Sequence, residues 1–327
     1  MPPELLAIGM EPDAARAWCI FAPYQAQRMV SVIQSKTRFV HYTSAEVAMS
    51  ILDDKSIWMR SAATMNDFSE IEHGTGLLKE VWASETGQRL QATLAGIFPE
   101  AIPKATKLYE SWWTEFKNHT YITCLSEHFD FEDETGRLSM WRAYGGAAGV
   151  ALVMNQTPIA NASDALKAYT APVAYFDTGK MGTLFEAIAQ NVVDEQAYLQ
   201  GQGEEALVGA LFGLFRSTVI ATKHPGFAEE AEWRVTYSPN MDESERIKPA
   251  IRSVRGAPQT IYRIPLESVP EEGLHGLDIP DLLDRIIVGP TEHGYAIAEA
   301  FARKLTELGV ENAWERVHLS HIPLRNI

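Results

Sequence analysis

The sequence predicts an α+β fold, because strand-like segments occur in groups that are separated by longer helical segments. The clearest strand signal lies at residues 230–238, where apolar and polar side chains alternate with a period of two. The clearest helical signal lies at residues 71–118, where apolar side chains recur at helical spacing. We therefore expect a single α+β domain over residues 37–327, with a helical insertion at about residues 71–118.

The first part of the chain contains strand, cap and turn signals in a definite order. Residues 1–36 are expected to form an N-terminal extension with a helix near residues 25–34. The spacing of Thr43 and Glu46 predicts a capping box for a helix that ends at about residue 54. Strands are predicted at 38–42, 56–60 and 120–125, with polar loops at 61–70 and 127–134.

The second part of the chain repeats this grouping of strands and helices. Three glycines, Gly145, Gly146 and Gly149, separate a short helical turn from the strand that follows it. Further strands are predicted at 150–154, 169–176, 230–238, 259–264, 285–288 and 316–319. Further helices are predicted at 138–144, 180–198, 204–222 and 291–308.

Composition and charge argue against several function classes. The chain has 327 residues, 46% of them hydrophobic, and a formal net charge of −15, which argues against a broad surface for duplex DNA or anionic membranes. Its two cysteines, Cys19 and Cys124, lack metal-ligand spacing. We find no signal peptide and no apolar run near the roughly 18 residues of a membrane span. A cytoplasmic protein without membrane contact is expected.

The strand at residues 230–238 carries the most informative pattern in the chain. Alternation places Trp233 and Val235 on one face, and Glu230, Glu232 and Arg234 on the other. A face with two carboxylates and a guanidinium is either a solvated surface with a weak ion pair or the lining of a cleft. The sequence pattern leaves both interpretations open.

Two further segments combine polar side chains with an apolar neighbour. The loop with Asn66 and Asp67 either caps the next helix or contacts a ligand. His41 ends an apolar strand beside Tyr42, where a neutral imidazole would hydrogen-bond a ligand or serve the structure alone. These two alternatives also remain open.

The segment around Trp141 and Tyr144 places two aromatic rings three residues apart, immediately before the glycines. The rings either pack in the core or form a stacking wall, with the glycines allowing a ligand to approach the backbone. The glycines do not match a phosphate-binding fingerprint, because they follow a helix and precede a strand. The sequence contains neither an HExxH zinc motif nor a GxSxG nucleophile elbow.

Taken together, several motifs resemble those of a bacterial protein family. They are His41-Tyr42, Ile57-Trp58, the loop from Met65 to Glu70, Cys124-Leu125-Ser126-Glu127, Met140-Trp141-Arg142-Ala143-Tyr144-Gly145, Lys223, Glu230-Ala231-Glu232-Trp233-Arg234 and Ile287-Val288-Gly289-Pro290. In this order they resemble domain of unknown function 2971. Family members often carry arginine or lysine at the position of His41 and tryptophan at that of Phe227, so the chain departs from the pattern there. The family name implies no activity.

The chain also resembles, more distantly, the ADP-ribosyltransferases. That resemblance implies a split and strongly bent sheet with a helical insertion, with NAD as substrate. It equates His41, or else Arg38, with the residue on the first strand, and Ser126 or Tyr144 with the central element. Glu232 corresponds to the late-strand glutamate, and Glu230 to the first member of a two-glutamate motif.

The same resemblance implies a role for each candidate residue. Glu232 would stabilise the oxocarbenium-like ribose electrostatically, and Glu230 would act as general base toward the acceptor. The residues implied in holding NAD are His41, Tyr42, Ser126, Trp141, Tyr144, Asn66, Asp67 and Arg234. A bacterial toxin or phage-defence effector is implied, with a protein or nucleic acid as acceptor and an antitoxin as possible partner.

A non-enzymatic function competes with this interpretation. The same groove would then bind a nucleotide or a partner protein of a defence system, and Glu230, Glu232 and Arg234 would form a structural charge network. If the acceptor is a nucleic acid, the sequence predicts a local basic cluster at Arg137, Arg142, Lys223 and Arg234.

Overall fold

A mixed sheet forms the centre of the computed structural model, which describes residues 1–64, 69–254 and 256–323. The strands are β1 (Arg38–Ser44), β2 (Ser56–Ser61), β3 (Tyr121–His128), β4 (Gly149–Met154), β5 (Tyr169–Pro172), β6 (Ala174–Tyr175), β7 (Thr222–Lys223), β8 (Glu232–Tyr237), β9 (Lys248–Val254), β10 (Ala257–Pro265), β11 (Leu283–Val288) and β12 (Val317–Leu319). The main sheet has the order β12-β11-β4-β1-β3-β2-β10-β9, and β8 joins it by pairing with β3 and β5. Among the described strands of this sheet, only β11 and β12 pair in parallel, so the predicted α+β class is confirmed.

The helices surround this sheet in two groups. They are α1 (Pro3–Ala7), α2 (Pro12–Phe21), α3 (Pro23–Ser35), α4 (Ala45–Asp54), α5 (Ser69–Ala83), α6 (Glu85–Ile97), α7 (Ala101–Asn118), α8 (Leu138–Tyr144), α9 (Thr178–Asp194), α10 (Gln196–Gln202), α11 (Glu204–Ile220), α12 (Ile279–Leu282) and α13 (Gly294–Glu307). Helices α5, α6, α7, α9 and α11 share one apolar core. Helices α1, α3, α4 and α13 share a second core with Phe39, Leu125 and Trp233 of the sheet.

The sheet branches at β3. One edge of β3 pairs with β8 from Tyr121 to Ser126. The other edge pairs with β1 only at Ser126, Glu127 and His128, and with β2 only at Tyr121 and Ile122. Strands β1 and β2 therefore separate from each other along β3, and the middle of β3 keeps a ladder only with β8.

The N-terminal helices belong to the cores. Leu5 of α1, Met29 of α3 and Val32 of α3 lie in the second core, and Phe21 of α2 lies in the core of the helical group. The rest of the chain covers the apolar side chains of these short helices, and this packing stabilises them, because helices of this length are marginal in isolation. The helix expected near residues 25–34 is α3, and α1 and α2 precede it.

Several predicted boundaries were wrong. Ser44 rather than Thr43 caps α4, since its hydroxyl accepts a hydrogen bond from the Val47 N–H at 3.3 Å. Glu127 and His128 continue β3 instead of starting a loop. The strand expected at 169–176 is divided into β5 and β6. The hairpin strand β9 was not predicted, because it is an edge strand on which nearly every position is exposed and no face alternates.

Candidate functional site

The candidate site begins where β8 begins. A 3₁₀ turn over Pro225–Glu230 precedes the strand, and Ala231 adopts a left-handed conformation with φ of 45°. Glu230 therefore belongs to the turn, and the prediction that it continues the alternation of the strand was wrong. Glu232 is the first residue of β8. The change of direction at Ala231, rather than strand periodicity, sets the relative position of the two carboxylates.

A buried arginine holds this turn. The Arg137 guanidinium donates to the carbonyls of Glu229 and Glu230 at 2.8 and 3.0 Å. Both oxygens of Glu132 accept from the same guanidinium, at 2.7 and 3.0 Å. This bidentate pair fixes the plane of the guanidinium. The backbone N–H of Arg137 donates to the Tyr42 hydroxyl at 2.8 Å, so Tyr42 supports the turn from β1.

Two carboxylates and two cations meet at the start of β8. Lys223 Nζ lies 2.6 Å from Glu230 Oε2 and 3.2 Å from Glu232 Oε2. Arg234 Nε lies 2.7 Å from Glu232 Oε1. The side chains of Lys223, Glu232 and Arg234 are 2, 6 and 4% exposed, whereas that of Glu230 is 17% exposed. We call these four residues the carboxylate cluster; it is balanced in charge, and Glu230 is its most accessible member.

Electrostatics within the carboxylate cluster keep Glu232 ionised. Burial alone would raise the pKa of Glu232, but the charges of Arg234 and Lys223 outweigh it and lower the pKa to about 2. Cys124, on the neighbouring strand β3, also hydrogen-bonds this carboxylate. Burial and the charge of Glu232 raise the pKa of the Cys124 thiol well above its usual value. Glu232 is thus a fixed anion at neutral pH, and Cys124 a protonated thiol beside it.

Aromatic side chains border the carboxylate cluster. The Tyr175 hydroxyl accepts a hydrogen bond from the Glu232 N–H at 2.7 Å. The Phe227 ring centroid lies 4.7 Å from Lys223 Nζ, a cation–π contact. Burial and the nearby charge of Glu230 raise the pKa of Tyr144, yet the residue remains 39% exposed. The carboxylate cluster therefore reaches the surface at Glu230, beside Tyr144 and Phe227.

The strand register brings Ser126 to Glu232. Val40 of β1 pairs with Ser126 of β3, and Ser126 pairs with Glu232 of β8. These three residues form one row across adjacent strands, and cross-strand partners point to the same face of a sheet. Ser126 is buried. The sequence-predicted residues Ser126, Glu232, Arg234 and Tyr144 thus belong to one region, together with Glu230.

His41 lies on the opposite face of the sheet. Phe39, two residues earlier on β1, packs edge-on against Trp233 at a centroid distance of 5.2 Å. Alternation places His41 on this same face, away from Val40 and the Ser126–Glu232 row. Its Nδ1 lies 3.0 Å from the Cys124 carbonyl oxygen. Burial lowers the pKa of His41, so the imidazole is neutral at pH 7. Its hydrogen bond is to the backbone of β3.

Trp141 is part of the core rather than an exposed stacking wall. The indole is 3% exposed, lies edge-on to Tyr42 at 4.9 Å and donates from Nε1 to the Thr135 carbonyl at 2.8 Å. A Cβ built at Gly136 or Gly289 would approach the indole to 2.6 or 2.7 Å, and one at Gly149 to 3.1 Å. These glycines make room for the ring. Of the three glycines expected to let a ligand approach, Gly149 has this packing role, a Cβ at Gly145 would lie 2.6 Å from the Trp141 carbonyl oxygen, and one at Gly146 would have nothing within 4 Å.

The remaining predicted positions have different outcomes. Asn66 and Asp67 lie outside the described residues. The basic cluster expected for a nucleic-acid acceptor was wrong, because Lys223, Arg234 and Arg137 are buried in ion pairs. The prediction also missed Tyr175 and Glu132, and it named Cys124 only as part of a family motif, without a place in the site. Tyr175 and Glu132 carry no local signal, since each reaches the carboxylate cluster or its supporting turn through tertiary packing.

Residues 140–235 match a family model described as a protein of unknown function, DUF2971. The match confirms the resemblance to domain of unknown function 2971. It extends from the segment of Trp141 and Tyr144 to β8, so it includes all four members of the carboxylate cluster.

Further comparisons add no named relative. Neither a curated protein nor a solved structure matches the chain. Within the described ranges, none of the helices combines the length and apolar character that a bilayer crossing requires. The described part of the chain also brings together no group of three or more histidine, cysteine, aspartate or glutamate side chains that could hold a metal ion.

Proposed function

We propose that the chain cleaves the nicotinamide–ribose bond of NAD, as an ADP-ribosyltransferase or NAD glycohydrolase with an ADP-ribosyltransferase-like branched sheet. The observation that carries this proposal is the position of Glu232. It is an ionised carboxylate on the first residue of β8, in register with Ser126, and Glu230 precedes it by two residues on the turn. The divergence of β1 and β2 along β3 supports the proposed branching.

The chemistry requires a fixed negative charge. As the C1′–N bond breaks, its electron pair leaves with nicotinamide and the ribose gains oxocarbenium character. The Glu232 carboxylate would stabilise that positive charge, because such charges interact most strongly in sites shielded from water. The acceptor oxygen then bonds to C1′, and Glu230 takes its proton. Tyr144, with an exposed ring beside the carboxylate cluster, is the best-supported residue for stacking on nicotinamide.

Lys223 restricts this mechanism. Its ammonium contacts Glu230 and Glu232 at the same time. The positive charge of Lys223 beside Glu230 favours the ionised carboxylate and so opposes transfer of a proton to it. A weaker contact between Lys223 and Glu230 in the substrate complex would make Glu230 a better base. The positions of His41 and Trp141 give no support for their contact with the same ligand.

The charge balance of the carboxylate cluster favours a second candidate, a non-enzymatic binding module for a nucleotide or protein of a defence system. Two carboxylates and two cations that satisfy one another form a structural network. Buried ion pairs of this kind specify a conformation without requiring any turnover. Substitution of Glu230 or Glu232 would then change stability or affinity alone.

One experiment separates the two candidates. Purified wild type, Glu230→Gln and Glu232→Gln are incubated with NAD and cell lysate, and nicotinamide release and transfer of labelled ADP-ribose are measured. Glu229→Gln is the matched control, because Glu229 is exposed and its side chain lies outside the carboxylate cluster. We expect Glu232→Gln to lower release by about 100-fold or more, and Glu229→Gln to leave it unchanged.

Circular dichroism of each variant provides the folding control. Equal nicotinamide release by folded Glu232→Gln and wild type would contradict the assignment of Glu232. No release by wild type, even with lysate present, would favour the binding module. The labelled product identifies the acceptor as protein or nucleic acid, or shows that it is water.

A further inference from the structure

A cavity lies between the N-terminal helices and the sheet. It has a volume of about 570 Å³. Helices α2 and α3 form one wall, and β5 and α11 form another. Its volume is in the range of pockets that hold small organic molecules. Arg234 lines this cavity as well as pairing with Glu232, so the cavity adjoins the carboxylate cluster.

A guanidinium that has no carboxylate partner among the described residues lines the cavity. Arg216 Nη2 donates to the Ser238 hydroxyl at 3.2 Å, and the guanidinium carbon lies 5.9 Å from the centroid of the Phe116 ring. Its Nε is shielded from solvent and finds no hydrogen-bond partner in the described part of the chain. Burial lowers the pKa of Arg216. Arg216 is partly buried, and shielding a cation without a counterion is unfavourable, so this arrangement is explained if a bound anion completes it.

A second unsatisfied group lines the same cavity. Gln25 of α3 is 6% exposed, and its shielded Oε1 has no hydrogen-bond partner within residues 1–64, 69–254 and 256–323. Leaving a buried amide oxygen unpaired costs free energy, and native proteins rarely do so. Gln25 and Arg216 come from different helices but line one cavity. A ligand that hydrogen-bonds both groups would remove both of these unfavourable contributions to the free energy.

We propose that this cavity binds a small amphipathic molecule that carries a single carboxylate. The carboxylate would form a bidentate pair with Arg216, whose fork matches its geometry. Trp18, Phe21, Met29 and Leu214 provide an apolar lining for the rest of the molecule. Arg234 is already paired with Glu232, so the charge of Arg216 suits a monoanion. Glu11 and Asp164 also line the cavity and disfavour polyanions.

Matched probes test the proposal by isothermal titration. 4-Phenylbutyrate and its uncharged amide, 4-phenylbutyramide, share one shape and differ in charge. We expect wild type to bind the carboxylate about tenfold or more tightly than the amide. Arg216→Met should remove this preference, and Arg303→Met should retain it, since Arg303 is exposed on α13 and pairs with Glu299.

Further measurements keep the result decisive. If Arg216→Met does not fold by circular dichroism, Gln25→Met replaces it and should weaken binding of the carboxylate while the preference over the amide persists. Equal affinity of wild type for both probes, or no carboxylate binding at millimolar concentration, would overturn the proposal. Retention of the preference in folded Arg216→Met, or tighter binding of phenyl phosphate than of phenylbutyrate, would also overturn it. The readout is binding, so it does not depend on NAD cleavage.

Discussion

At the scale of single residues, Glu232 shows how neighbouring charges overcome burial. A carboxylate as buried as this one would ordinarily resist ionisation. Lys223 and Arg234 reverse that tendency because both lie within ion-pair distance of its oxygens. The arrangement is stable only when complete, since removing one partner leaves an uncompensated buried charge. The carboxylate cluster is therefore sensitive both to pH and to single substitutions.

The pH dependence follows from the lowered pKa of Glu232. The pKa is about 2 in the folded chain and 4.5 for an unperturbed glutamate. The ionised carboxylate therefore contributes stability above pH 4.5, and this contribution is lost as the pH falls toward 2. We expect a contribution on the order of 3 kcal/mol. Urea unfolding of wild type and Glu232→Gln at pH 7 and at acid pH measures it, and identical pH dependence in both would refute it.

Lys223 provides a second test at this scale. In Lys223→Met, both carboxylates lose their shared cation and only Arg234 remains beside Glu232. We expect the free energy of unfolding at pH 7 to fall by about 3 to 5 kcal/mol. Lys79→Met is the control, because Lys79 is exposed on α5. A loss for Lys223→Met no larger than that of this control would show that the buried pairs contribute little.

At the scale of elements, Trp141 explains why glycines recur in distant segments. Gly136, Gly149 and Gly289 come from a loop, the start of β4 and the segment after β11, and all three approach one indole. Interiors are packed too densely to accept an added methyl group at such contacts. These three glycines thus record the packing of α8 against the sheet, and of the motif glycines Gly149 is the one that contacts the indole.

Substitution of Gly289 tests this packing. The added methyl of Gly289→Ala would lie 2.7 Å from the indole, and we expect a loss of about 1–3 kcal/mol from overpacking. Gly182→Ala on α9 is the matched control, because nothing lies within 4 Å of its added Cβ. There we expect a gain of about 0.5–1 kcal/mol from helix propensity. Thermal unfolding by circular dichroism compares them, and equal midpoints would contradict the packing argument.

The sequence predicts most elements but not how they meet. The strand β8 was predictable because Trp233, Val235 and Tyr237 alternate with polar residues. The turn before it was not, because the left-handed residue is Ala231 rather than glycine. The contacts of Lys223 with Glu230 and Glu232 depend on that turn and on the short strand β7. The branching of the sheet at β3 depends on pairings between segments far apart in the chain, which a local pattern cannot specify.

At the scale of the whole molecule, the first 36 residues are packed into the cores of the fold. Helices α1, α2 and α3 contribute buried side chains to the two cores, and α2 and α3 form a wall of the cavity that Arg216 lines. Gln25, one of its two unsatisfied groups, lies on α3. The predicted N-terminal extension thus consists of helices whose apolar faces the rest of the chain covers.

A pair of adjacent leucines tests the role of these helices. Leu5 of α1 is fully buried in the second core, whereas its neighbour Leu6 is 40% exposed. If α1 is an integral part of the fold, Leu5→Ala should lower the free energy of unfolding by about 2–5 kcal/mol, as a large-to-small change in a core does. Leu6→Ala should change it by less than about 0.5 kcal/mol. Urea unfolding at pH 7 measures both, and a single cooperative transition shows that α1 unfolds with the sheet. A helix of five residues has no stability of its own. A small effect of both substitutions would therefore mean that the core does not hold α1 and that α1 opens independently of the sheet.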